Sequence, residues 1–201
     1  MTSLTRVFSL SLTTTYMSEL ICVTNRKLCK DNFLERIDRI CRNSPKAILL
    51  REKDLPENEY LSLASEVASI CLEHGVPFIA HTYPSETADA IHMPLGCFRK
   101  VEGILNGTSV HSVEDAIRAE SLGADYVIAG HVFDTDCKKG LPGRGLGFIR
   151  DVSSNISRPV YAIGGIDARR YNSVLKAGAK GAAIMSGLMT CQDVDSFMSA
   201  F

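Results

Sequence analysis

The sequence has no C-x-x-C pair, no excess of either charge, no apolar run long enough to span a bilayer, and no G-x-G-x-x-G turn after a strand-like segment. Each absence removes a class of function. Seven cysteines (Cys22, Cys29, Cys41, Cys71, Cys97, Cys137 and Cys191) are odd in number and scattered, which argues against a disulfide framework or a zinc site and fits a reducing compartment. Lysine and arginine total 22 against 23 acids, for a net charge of −1 with the signs interspersed. Neither a basic surface for nucleic acid nor a helix-turn-helix is evident. The Ser/Thr-rich start "MTSLTRVFSLSLTTTYMSEL" carries no small-residue cleavage site, so neither a signal peptide nor a membrane span is expected, and the predicted location is cytoplasmic. Without the glycine fingerprint, a dinucleotide-binding sheet loses its main support.

What is present is a repeating alternation. With 201 residues and 45 % hydrophobic content the chain can bury one full core. Regular patterning begins near Glu19, so residues 1–16 read as an N-terminal extension and residues 17–201 as a single domain. Short apolar runs ("LICVT", "AILL", "PFIA", "AIHM", "GTSV", "DYVIAG", "PVYAIGG", "GAAIMSG") are each followed by a segment read as helical, which makes eight strand-then-helix units. The runs are apolar on both alternating faces, as parallel strands buried on two sides require. Helical stripes such as Leu61, Ala64, Val67, Ala68 and Cys71 follow the longer period, and Ser112 with Asp115, and Asp167, mark helix starts. Eight such units predict an α/β fold, a single-domain parallel (β/α)8 TIM barrel. A doubly wound open sheet is the runner-up. Barrels with apolar outer helices often dimerise, so a homodimer is the expected assembly.

In such a barrel, chemistry belongs to the loops after the strands, and a phosphate is often held after strands seven and eight. Those loops read "AIGGID" and "AIMSGL". Gly164 and Gly165 lift the Cβ barrier so that backbone amides can approach an anion, and Ser186 and Gly187 offer the same with a hydroxyl. His131 stands at the end of strand six, where an imidazole can exchange a proton with a substrate anchored next door. The following "DTDCKKG" brings Cys137, Lys138 and Lys139 in a lid-like loop, and "LLREK" aims Arg51 and Lys53 at the mouth, where they suit a carboxylate or phosphate. Ser109 ends strand five. His81 and His92 end strands three and four without a carboxylate cluster, so neither metal nor cofactor is predicted.

Taken together, "LLREK", "GTSVHS", "DYVIAGHVFDTDCKKG", "GLGFI", "PVYAIGGI" and "AGAKGAAIMSG" resemble the thiamine phosphate synthase/TenI family from about Glu19 onward. "GHVFDTDCKKG" is most similar to the TenI branch, whose activity is thiazole tautomerase. The synthase branch joins a pyrimidine methyl diphosphate to a thiazole phosphate, with magnesium held by acidic residues after strands three and four. Here those positions read "FIAHTY" and "IHMPLG", and the synthase T-x-T-K becomes Thr135, Asp136, Cys137, Lys138. The resemblance therefore implies an isomerase of thiamine biosynthesis that aromatises a dihydrothiazole carboxylate phosphate, with His131 as the acid/base and the product of thiazole synthase as its substrate. Two other readings stay open: thiamine phosphate synthase, a transferase disfavoured by the missing magnesium-binding aspartates, and a non-catalytic regulatory protein that binds thiazole or thiamin phosphate. Arg51, Lys53, Ser109, Cys137 and Lys138 are the expected substrate-binding set, and Gly164, Gly165, Ser186 and Gly187 the phosphate-binding set.

Overall fold

The computed structural model describes residues 18–201, and the proposed extension at residues 1–16 lies outside them. Eight strands form the barrel: β1 (Ser18–Val23), β2 (Pro45–Leu49), β3 (Phe78–His81), β4 (Ala90–Pro94), β5 (Leu105–Val110), β6 (Tyr126–Gly130), β7 (Val160–Ile163) and β8 (Gly181–Ile184). Every neighbouring pair is parallel, and β8 pairs back onto β1, which closes the sheet in sequence order. The expected (β/α)8 architecture is therefore the observed one.

Helices α1 (Phe33–Arg42), α2 (Glu57–Glu73), α3 (Val113–Ser121), α4 (Gly145–Asn155), α5 (Ala168–Lys176), α6 (Ser186–Thr190) and α7 (Val194–Ser199) pack outside. The predicted caps form: the Ser112 side chain accepts from the Asp115 amide, and Asp167 accepts from Arg170. Two faces of the strands feed two cores. Ile21, Val23, Leu49, Ile79, Tyr126, Ile128 and Tyr161 fill the barrel interior, whereas Leu20, Ile48, Phe78, Val127 and Ala162 meet the helices. That division explains why most strand positions are apolar on both alternating faces.

The sequence reading also placed helices after β3 and β4, and the structure has no α-helix in either place. Residues 82–89 are fewer than the roughly ten or more that a helical crossover needs. After β4 a 3-10 turn (Leu95–Cys97) leads into a loop whose backbone is satisfied by a side chain instead. The fully buried Asn106 accepts from the Val101 amide (2.8 Å) and donates to the Val101 and Ile104 carbonyls (2.9 and 2.7 Å).

One contact joins the two ends of the barrel's sequence. Arg36 on α1 is buried, donates to the carbonyls of Leu188 (2.9 Å) and Cys191 (3.0 Å) at α6, and pairs with Asp31 (2.7 Å). The guanidinium holds the Asp31 carboxyl well below the usual carboxylate range. It thus fixes the short helix on which Ser186 and Gly187 lie.

Candidate active site

The carboxyl ends of the strands open onto a cavity of about 700 Å³. All ten residues singled out as site candidates line it: Arg51, Lys53, Ser109, His131, Cys137, Lys138, Gly164, Gly165, Ser186 and Gly187.

On one side lie the two glycine loops. Gly164 and Gly165 have φ of 104° and 63°, in the left-handed region that a side chain resists. Their surroundings are as demanding, because a Cβ on Gly164 would stand 2.4 Å from the His131 Cβ, and one on Gly165 would stand 2.5 Å from the Asp134 carbonyl. The Arg170 guanidinium donates to the Gly165 carbonyl (2.6 Å) and covers the Phe133 ring, fixing the loop from behind. Beside it, α6 begins at Ser186, and the first-turn amides of a helix have no intrahelical acceptor. Backbone donors from two loops therefore face one space, an arrangement suited to a phosphate.

Cations stand across from them. At the end of β2, Glu52 turns away from the cavity into a buried pocket, where it accepts from the Thr24 hydroxyl (2.7 Å) and from the Arg26 amide and guanidinium (3.0 and 3.2 Å). Anchoring the middle residue outward turns Arg51 and Lys53 inward. Lys138 reaches the same space from the loop after β6. Partial burial, then the charges of Arg51 and Lys138, lower the Lys53 ammonium.

Between these sides sits a row of aromatic polar groups. His81 and His92 stack with ring centroids 6.2 Å apart. His92 is hydrogen-bonded through Nε2 to the Ser109 hydroxyl (2.8 Å) and through Nδ1 to Tyr126 (3.3 Å). His81 is held by Thr82 through Nδ1 (2.8 Å), and its amide donates to the Tyr60 hydroxyl (2.6 Å), which in turn donates to the Leu50 carbonyl (2.9 Å). Burial first, then neighbouring positive charge, pushes His81 down to about 4 and His92 down to about 3. Both are neutral at physiological pH.

His131 is half-buried at the foot of the loop, and its Nε2 donates to the Leu141 carbonyl (3.2 Å). The loop after it is tied rather than free: Gly143 donates to Asp134 (2.7 Å), Arg144 to the His131 carbonyl (3.0 Å) and Gly145 to the Val132 carbonyl (2.8 Å).

Sequence reasoning missed Asp115 and Arg118, which also line the cavity from α3. Their spacing of three puts both on one helix face, and that spacing was the signal available. His111, in the bend before α3, also borders the cavity and donates from Nδ1 to the Gly130 carbonyl (2.9 Å).

The magnesium of the synthase branch has no suitable donor set here. Among the described residues no three His, Cys, Asp or Glu side chains converge as a metal cluster, and the ends of β3 and β4 offer imidazoles where a hard cation requires oxygens. Asp115 is the one carboxylate among the residues lining the cavity, and its Oδ2 accepts from the His111 amide (2.9 Å).

A family model described as thiamine monophosphate synthase matches residues 20–188. A thiamine-phosphate synthase of Methanocella arvoryzae is 38 % identical over 168 residues, covering 78 % of this chain and 79 % of that protein. Thiamine-phosphate synthase 2 of Streptococcus pneumoniae is 30 % identical over 194 residues, covering 90 % and 92 %. A solved thiamine phosphate pyrophosphorylase from Pyrococcus furiosus superposes with a TM-score of 0.80 at 27 % identity, covering 90 % and 92 %. These relatives overturn the expected thiazole tautomerase, and with it the isomerase class, because they carry the synthase name. Two features of the site bear on the correction. The His131 Nε2 is committed to a backbone carbonyl, and the cavity gathers the positive charge that a transferase needs for an anionic leaving group.

Proposed function

The chain belongs to the thiamine monophosphate synthase family, and from that premise we propose that it is a thiamine-phosphate synthase, a transferase joining a pyrimidine methyl diphosphate to a thiazole phosphate. One observation carries the reading: two glycine loops and three inward cations share a single cavity, so two phosphorylated reactants have separate places to anchor. The thiazole phosphate takes the amides of Gly164, Gly165, Ser186 and Gly187. The diphosphate faces Arg51, Lys53 and Lys138. Ser109 and Cys137 complete the walls between them.

In the transfer, the methylene carbon–oxygen bond breaks, and diphosphate leaves with the electron pair. The thiazole nitrogen supplies the pair for the new carbon–nitrogen bond, giving thiamin phosphate. No ring-carbon proton has to be removed. The role proposed for His131 is to meet the bound substrate through Nδ1 while Nε2 holds the loop. Fixed cations around a leaving group act where charge develops, and one such donor is typically worth about 10² to 10³ in rate. Seven free thiols and the absence of any helix long and apolar enough to cross a membrane among the described residues support a cytoplasmic place of work.

The test is to incubate the purified chain with both substrates and follow thiamin phosphate. Product formed above the uncatalysed rate supports the synthase. No product over a range of added Mg²⁺, together with tight binding of thiazole phosphate, would instead identify a non-catalytic binding protein.

A further inference from the structure

The mismatch between the implied magnesium and the side chains at the mouth leads to a second reading, which rests on the synthase proposal. We propose that this barrel binds its diphosphate without a divalent cation, using the side chains of Arg51, Lys53 and Lys138 in place of the metal.

The first argument is the donor set. Beyond β3 and β4 stand Thr82, Tyr83 and Pro84, and Leu95, Gly96 and Cys97, none of them a carboxylate. From the ends of β3 and β4, the side chains that bring nitrogen to the cavity wall are His81 and His92. Both nitrogens of His92 and one of His81 are already taken by Ser109, Tyr126 and Thr82.

The second is charge. The cavity is lined by Arg51, Lys53, Arg118 and Lys138 against the single carboxylate of Asp115. A divalent cation entering this space meets repulsion from four side chains, and a diphosphate meets attraction from the same four. Burial lowers the Lys53 ammonium first, and the neighbouring charges of Arg51 and Lys138 lower it further. An anion bridging Lys53 and Lys138 relieves that repulsion, and their positions on two different loops let them hold its two phosphoryl groups from opposite sides.

Titration calorimetry with inorganic diphosphate on the full chain tests this, in EDTA and in excess Mg²⁺. Binding in EDTA at least as tight as in Mg²⁺ is expected, with Lys53→Met and Lys138→Met each weakening it about tenfold, or roughly 1.4 kcal/mol. Circular dichroism checks that both variants fold, and a steep loss of wild-type affinity with added salt provides a reading that needs no variant. Binding seen only with Mg²⁺, or no binding in either condition, overturns the proposal. Product formation distinguishes its failure from that of the synthase reading. Turnover with strictly Mg²⁺-dependent binding removes the metal-free site alone, whereas metal-free binding with no turnover removes the synthase and leaves the anion site standing.

Discussion

Lowering the pH from neutral toward 5 should destabilise the barrel through His81 and His92. Both are buried at the mouth, with values pushed from 6.5 down to about 4 and about 3. Their stabilising contribution is therefore complete above 6.5 and is lost as pH falls toward the folded values, because the unfolded chain takes up the protons first. At about pH 5 each histidine removes about 2 kcal/mol, and the pair about 4 kcal/mol, which in a domain of this size lowers Tm by roughly 10 °C. Depressed carboxylates such as Asp31 and Asp54 do not confuse the measurement, since they act below their ordinary value of 3.8. Thermal melts from pH 8 to 4.5 on the wild type and on a His81→Asn/His92→Gln double variant isolate the effect. The variant should be less stable at neutral pH, having lost bonds to Ser109 and Tyr126, and should fall much less steeply between about 6.5 and 5. If the two curves run parallel through that window, the histidines are not buried in their neutral form and the reasoning fails.

Arg36→Met should cost about 3–5 kcal/mol in urea unfolding, because it strands the Leu188 and Cys191 carbonyls and a paired Asp31; a loss below about 1 kcal/mol would show that solvent replaces those bonds. Asn106→Ala removes three buried hydrogen bonds from the loop after β4 and should cost about 3 kcal/mol by the same measurement, with an unchanged urea midpoint counting against it. Gly164→Ala places a methyl group 2.4 Å from the His131 Cβ at a φ of 104°, and should weaken thiazole phosphate binding at least about tenfold, as calorimetry can show. Gly147→Ala on α4, where a Cβ would meet nothing within 4 Å, should instead stabilise the protein by about 0.5–1 kcal/mol, read from the same melts.

The strands and their closure were legible because parallel strands buried on both faces leave continuous apolar runs, and a chain with eight such runs has few other ways to cover them. The ten candidate residues could be placed at one cavity for a related reason: function in this architecture collects at strand ends, which the runs locate. What stayed hidden depends on distance in the chain. Arg36 looks like any charged helix residue until α6, 152 positions away, supplies its acceptors. Tyr60 reads as helix packing, yet its hydroxyl joins β2 to His81. The helices wrongly expected after β3 and β4 came from extending a repeat over segments too short for one, or already satisfied by Asn106. The isomerase expectation rested on the absent acids, the altered Thr135–Lys138 segment and the likeness of the His131 motif to one branch, none of which reports what the folded cavity gathers. Arg51, Lys53 and Lys138 are placed near the mouth by the sequence itself, and the fold adds Arg118 from α3 beside them.

The Arg36 contact also makes one end of the domain depend on the other. Like the β1–β8 pairing, α6 gains its buried partner only when a segment near the start of the domain meets one near its end. Contacts of such long sequence separation are the slow ones in folding. A chain cut before α6 would lack Ser186 and Gly187 at the cavity wall and would leave the Arg36 guanidinium without its two carbonyl acceptors.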